Sequence, residues 1–215
     1  MQSAIGYQRW QSIWRVVSAT DDQTIFQDLV ARYAEPHRAY HTLEHIDECL
    51  THLDTVRHSL AGPLEVELAI WFHDAIYDSR RHDNEEQSAL LAAAQLAATG
   101  VAAEVAARVA DLIRLTAHTR DDLTGDAAVL CDIDLAILGA APKRFGRYDA
   151  AIRREYEWVP EAIYRRERAR VLAGFLERPR IYQTPFFVDR WEIQARTNIT
   201  AALQHYHSQA IGDDL

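Results

Sequence analysis

The segment Tyr40-His41-Thr42-Leu43-Glu44-His45 sets two imidazoles four residues apart. On a helix that begins by Thr42 they lie near one face, with His45 a turn inside where its ring is held rigid. That spacing also describes two solvated histidines. A second segment, Glu67 to Asp78, carries His73-Asp74 at the end of a strongly apolar run. An ionised Asp buried there is costly unless it is paired or coordinates a cation. Adjacent helical residues point about 100° apart, so the two side chains suit a shared ion better than each other. An internal His–Asp hydrogen bond is the plainer alternative. A third segment, Val129 to Gly139, interrupts another apolar stretch with Asp132 and Asp134. Asp134 shares a stripe with Leu130, Ile137 and Leu138 and is expected to be buried, whereas Asp132 points elsewhere, as a cap or an acceptor behind a ligand.

A His, a His-Asp doublet and a distant Asp, in that order, resemble the signature of the HD superfamily of metal-dependent phosphohydrolases. The matching residues are His45, His73-Asp74 and Asp134. The fuller pattern is similar to a small bacterial subgroup of that superfamily: Arg38-Ala-Tyr40-His41-Thr-Leu-Glu-His45, Phe72-His73-Asp74-Ala-Ile-Tyr77-Asp78, Asn84-Glu85-Glu-Gln-Ser88-Ala89 and Asp132-Ile-Asp134-Leu-Ala-Ile-Leu-Gly139. The likeness extends to Arg180-Ile-Tyr182 and Ala195-Arg196-Thr-Asn198.

The resemblance implies an all-α fold with its metal ligands on separate helices around a central cleft. Carried over, His45, His73, Asp74 and Asp134 are the ligands, Asp74 is essential to catalysis, and His41 is a general acid off the metal. A mixed imidazole and carboxylate set suits Mn²⁺, Fe²⁺, Zn²⁺, Ni²⁺ or Mg²⁺, in a centre of one ion or two. Such an ion lowers the pKa of a bound water and polarises a phosphoryl oxygen, and His41 then protonates the departing oxygen. The reaction expected is hydrolysis of a small phosphate ester, a nucleotide among them. Two other readings are a di-iron oxygenase, which needs further ligands, and a ligand-binding module without turnover.

Further residues have two readings each. Arg38 either grips two phosphate oxygens or is a surface loop residue. Asp78 and Glu85 either contact a second metal or orient a ligand His, or they are a solvated loop carboxylate and an ordinary helix N-terminal Glu. His118 resembles the additional His that some superfamily members use for a second metal or substrate; as a helix-end His it would be favoured by the dipole. Arg165 and Arg168, in a segment of mixed charge, either reach phosphate or belong to a solvated face. Tyr182, Phe186 and Phe187 close a pocket over a ring or simply fill the core. His52, His58 and His82 read as surface residues.

These side chains must be held by helices. Period-3.6 patterning dominates and strand-like alternation is nearly absent, so the chain is expected to be all-α. Trp10, Ile13, Trp14 and Val17 form one stripe, and Ile25, Phe26, Leu29, Val30 and Tyr33 a second behind the caps Asp21 and Asp22. Pro36 ends that helix, and a third runs from near His41 to Leu60. Helices follow over Leu64–Tyr77, from an Asn84 cap to Gly100, and over 102–117, 127–138, 143–157, 161–177 and 191–208. Short connections and the absence of repeats point to one compact domain over 1–215, with a metal-binding core near 36–140 and C-terminal helices 143–208 packed on it.

The chain of 215 residues is 48% apolar, enough for a substantial core. Its formal charge of −9 and lack of a basic patch argue against a nucleic-acid polymer as partner, while a bound cation could still admit a small phosphorylated substrate. Two cysteines and no leader-like or membrane-length apolar segment give the expectation of a cytoplasmic protein away from membranes.

Overall fold

Proline and glycine punctuate the chain where the pattern requires. Pro63, Pro142 and Pro185 each open a helix at its first position, where a missing N–H costs nothing. Gly100, at φ 80°, takes the left-handed conformation just beyond a helix end. The computed structural model describes the backbone of residues 2–17 and 23–212. Among these, the regular structure is entirely helical: α1 (Gln2–Val17), α2 (Gln23–Tyr33), α3 (Leu43–Val56), α4 (Pro63–Phe72), α5 (Asn84–Ala98), α6 (Ala103–Leu115), α7 (Gly125–Asp134), α8 (Pro142–Glu155), α9 (Glu161–Glu177) and α10 (Pro185–Gly212). Short 3₁₀ turns cover Arg57–Ser59 and Leu135–Gly139. The expected caps Asp21 and Asp22 lie outside the described residues. No helix among those described is long and apolar enough to cross a membrane.

α4 is the organising element. Every residue from Val66 to Phe72 is buried, as an all-round apolar helix must be, and α3, α5, α6 and α7 pack around it. Its one buried charge, Glu67, accepts from Arg9 and Arg57, which ties α1 and the end of α3 to the central helix. On the α1 side the Trp10 ring lies 5.6 Å from Trp71, 5.5 Å from Trp14 and 6.2 Å from Phe72. α10 closes the opposite side against the 135–139 turn. A Cβ on Gly139 would lie 2.5 Å from that of Trp191, so this approach requires glycine.

Several boundaries differ from expectation, with local causes. α4 ends at Phe72, not near Tyr77: the Asp74 and Ala75 carbonyls accept from Arg38, and Ser88 Oγ pairs with both backbone groups of Ile76. Side chains therefore replace the helical ladder there. The expected 127–138 helix tightens into a 3₁₀ turn after Asp134. α10 starts at Pro185, not 191, because Asp132 accepts from the Gln183 and Thr184 N–H groups and the Thr184 hydroxyl just ahead of it. Asn84 is the first residue of α5 and not its cap; its side chain accepts from the Asp78 N–H and donates to the Asp78 carbonyl, closing the 78–84 loop.

Candidate metal centre

Four separated segments converge beside the C-terminal end of α4. His45 stands in the first turn of α3, which begins after Thr42, whose hydroxyl accepts from the Glu44 N–H. His73 closes α4 in helical conformation, its N–H still donating to the Ala69 carbonyl, and Asp74 follows in the turn. Asp134 is the last residue of α7. His45 Nε2 lies 3.1 Å from His73 Nε2, 3.1 Å from Asp134 Oδ1 and 3.6 Å from Asp74 Oδ2. His73 Nε2 lies 3.0 Å from Asp74 Oδ2 and 3.6 Å from Asp134 Oδ1.

These separations fit a shared cation. An ion about 2.1 Å from each donor leaves neighbouring donors about 3.0 Å apart in an octahedron and about 3.4 Å apart in a tetrahedron. The orientation of the rings fits as well. His73 Nδ1 donates to the Ile70 carbonyl at 2.9 Å, which leaves the Nε2 lone pair of the neutral ring facing the other donors. The outer oxygen of Asp134 is held by His118 Nε2 at 2.8 Å. Two carboxylates set against the same pair of buried imidazoles demand positive charge. Burial alone would raise the Asp74 and Asp134 carboxyls and lower the His73 imidazole, yet their mutual attraction wins: both carboxyls are pulled down and His73 is pushed well up.

Cys49 also comes near, so that His45, Cys49 and Asp134 form one group with ligand atoms within 4.8 Å, and His45, His73 and Asp74 another. Cys49 Sγ is 3.7 Å from each nitrogen of His45. It therefore packs against the body of the ring, not along the Nε2 lone pair, and burial pushes its thiol well up in pKa. The imidazole and carboxylate set is the better donor group. Its imidazoles are closed off, with His45 and His73 side chains only 2% exposed, whereas Asp74 at 16% and Asp134 at 17% open toward solvent.

At that open side His41 is held apart from the four. Its Nδ1 donates to Glu155 Oε2 at 2.7 Å, and its ring stacks on Tyr77 with centroids 3.9 Å apart. Glu155 is saturated: Oε1 accepts from the N–H groups of Ala39, Tyr40 and His41, and Oε2 also from the Tyr77 hydroxyl. Burial would raise this carboxyl, but His41 and the backbone donors bring it down to about 2. Burial likewise works against a charged His41, and the carboxylates of Asp74, Glu155 and Asp134 outweigh it, so its pKa is raised. Glu155 and Tyr77 escaped the sequence reading. Glu155 sits among mixed charges on α8 and is 114 residues from its imidazole partner, a separation that only the docking of α8 explains.

Other sequence expectations require correction. Arg38 is a brace and not a phosphate grip: its side chain has no exposure, and it donates to Glu35 and to the carbonyls of His41, Asp74 and Ala75. Asp78 lies outside the cluster, with Oδ1 accepting from the Arg80 N–H. Glu85, in the first turn of α5, is outside it too. Arg165 pairs with Glu161, and Arg168 with Asp149 behind the Tyr148 ring. His118 Nε2 meets Asp134 at 2.8 Å from a left-handed backbone at φ 53°, with its carbonyl taken by Arg178, which sets it beside the cluster and beyond the end of α6. Asp132, not Asp134, is the fully buried carboxylate of its pair, and burial raises it to about 6. The helix tightens directly after Asp134, which breaks the stripe assumed for it. Comparison with known proteins finds no matching family model, curated protein or solved structure.

Proposed function

We propose that this chain is a divalent-metal-dependent phosphohydrolase of the HD type, acting on a small phosphate ester such as a nucleotide. One observation carries the reading: two imidazoles and two carboxylates at ligand spacing, with a separate imidazole, His41, held beside them by the buried Glu155. His45, His73, Asp74 and Asp134 would hold the ion. A divalent ion supplies Lewis acidity there, lowering the pKa of a water and polarising a phosphoryl oxygen.

The protein groups do the rest. His41, whose protonated form its carboxylate neighbours favour, would give the proton on Nε2 to the departing ester oxygen. Glu155 keeps Nδ1–H in place and stabilises the imidazolium before the transfer. Tyr77 fixes the ring plane by stacking, and His118 prevents Asp134 from turning its outer oxygen inward. An oxygenase would need ligands beyond these four; of the three candidates, Asp78 and Glu85 lie outside the cluster, and His118 Nε2 is spent on Asp134. On this reading the setting is cytoplasmic, with the thiols of Cys49 and Cys131 both free.

Metal analysis of the purified full chain, followed by a phosphate-release screen over nucleotides and sugar phosphates, tests the reading. Asp74→Ala should lose both the metal and phosphate release while far-ultraviolet circular dichroism stays unchanged. Full metal occupancy in that variant, or oxygen consumption without phosphate release in the parent, overturns it.

A further inference from the structure

A cavity of about 550 Å³ opens between the 35–39 connector, the 75–80 turn and the 154–158 turn. None of His41, His45, His73, Asp74 or Asp134 lines it. The volume is that of a small-ligand pocket. Most of its charge is spent internally: Arg32 pairs with Asp28, Arg38 with Glu35, and Glu155 is saturated. The guanidinium groups of Arg80 and Arg154 have no hydrogen-bonded or ion-pair partner among the described residues; of the carboxylates there, Glu157 has none either and Asp78 accepts only from the Arg80 backbone N–H and from no cation. On a chain with a net charge of −9, two guanidinium groups left without a carboxylate partner in one concavity are free to meet an anion.

The same cavity holds a rigid, open aromatic ring. Trp158 is 47% exposed, while Trp10, Trp14 and Trp71 are buried. Its indole N–H donates to Ser79 Oγ at 2.9 Å, and that hydroxyl donates to the Glu155 carbonyl at 2.8 Å, so the ring is held without being covered. The Arg80 guanidinium lies over the indole, 5.1 Å from its centroid, so a cation sits on one face of a ring that is still 47% exposed.

We propose that this cavity is a second ligand site, which takes a phosphorylated molecule with a planar ring, of mononucleotide size, with Arg80 and Arg154 on the phosphate and Trp158 on the ring. The proposal stands independently of the metal reading. The far wall is Tyr77, whose ring lies between His37 at 6.4 Å and His41 at 3.9 Å, so a ligand here touches the support of the His41 side chain.

Calorimetric titration of the full chain with AMP, in parallel with and without chelator, tests the site. AMP should still bind the chelator-treated protein, whatever further binding the metal centre adds when chelator is absent. The Arg80→Met, Arg154→Met double variant, which keeps the apolar stems, should weaken AMP at least about tenfold, the scale of a lost charge-assisted contact. Trp158→Ala should weaken AMP but leave ribose 5-phosphate unchanged. Should a variant melt early, the parent still decides: AMP must bind about tenfold more tightly than ribose 5-phosphate. Unchanged AMP affinity in the double variant, or no binding to the parent at millimolar concentration, overturns the proposal. Binding that chelator or Asp74→Ala removes overturns it too, by placing the nucleotide at the metal centre, and leaves the phosphohydrolase reading intact.

Discussion

The last two residues of α4 and the two that follow them face opposite physical problems. Toward α1, Trp71 and Phe72 meet Trp10 and Phe26 in an aromatic core where shape and area decide stability. Two residues later His73 and Asp74 meet His45 and Asp134, where charge decides. A packed apolar region degrades gradually as volume is removed, because neighbours partly relax. A cluster of two carboxylates and two imidazoles fails as a unit, because each group is tolerable in the interior only while the others compensate it. One helix thus supplies a graded foundation and an all-or-none site within a few residues.

The sharpest break of this contrast lies in the Asp132 and Asp134 pair. Asp134→Asn should empty the metal site, as read by metal stoichiometry after gel filtration. Asp132→Asn should leave stoichiometry intact and loosen the start of α10, read as faster amide exchange around 183–188. The reverse pattern would move the ligand role to Asp132. Next in size, Trp10→Ala should cost about 3–5 kcal/mol in chemical denaturation, yet the folded fraction should bind metal with full stoichiometry. Metal loss in that variant would erase the distinction between the two neighbouring segments.

His41→Ala should slow turnover by roughly 10²–10⁴ with metal affinity nearly unchanged, and less for an ester whose leaving group needs no proton. An emptied metal site would make His41 a ligand. The smallest effect concerns Glu155, held near 2 against an ordinary 4.5. A depressed carboxyl stabilises above its unfolded value, here by about 3 kcal/mol, and loses that contribution as pH falls from 4.5 toward 2. Glu155→Gln should therefore be less stable than the parent at pH 7, with the gap narrowing below pH 4.5. A gap independent of pH would assign the role of Glu155 to shape alone.

What could be read from sequence follows the same division. The helices were legible because apolar period and breakers are local, and α9 falls on its expected bounds of 161–177. The cost of polar groups in apolar runs marked His73-Asp74 and Asp134, whereas His45 joined them as a set only through the resemblance; the structure brings the four side chains to one place. Direction was not legible. Arg38 reads as a loop cation until the turn it braces is known, and Arg168 looks solvated until Tyr148 and Asp149 close over it. Glu155 carries no local mark at all, since its partners are supplied by a connector at the other end of the chain.

That separation has a consequence for the order of assembly. A chain emerges from its N-terminus, and domains fold as the needed parts become available. All four metal-cluster residues lie within the first 134 positions, but the carboxylate that grips the 39–41 backbone lies at 155. Closing that loop is among the most non-local steps in the fold and should come late. A nascent chain thus passes through a stage in which all four cluster residues are present while the His41 ring still lacks its Glu155 partner, and on the proposed function only the arrival of α8 would complete the machinery for turnover.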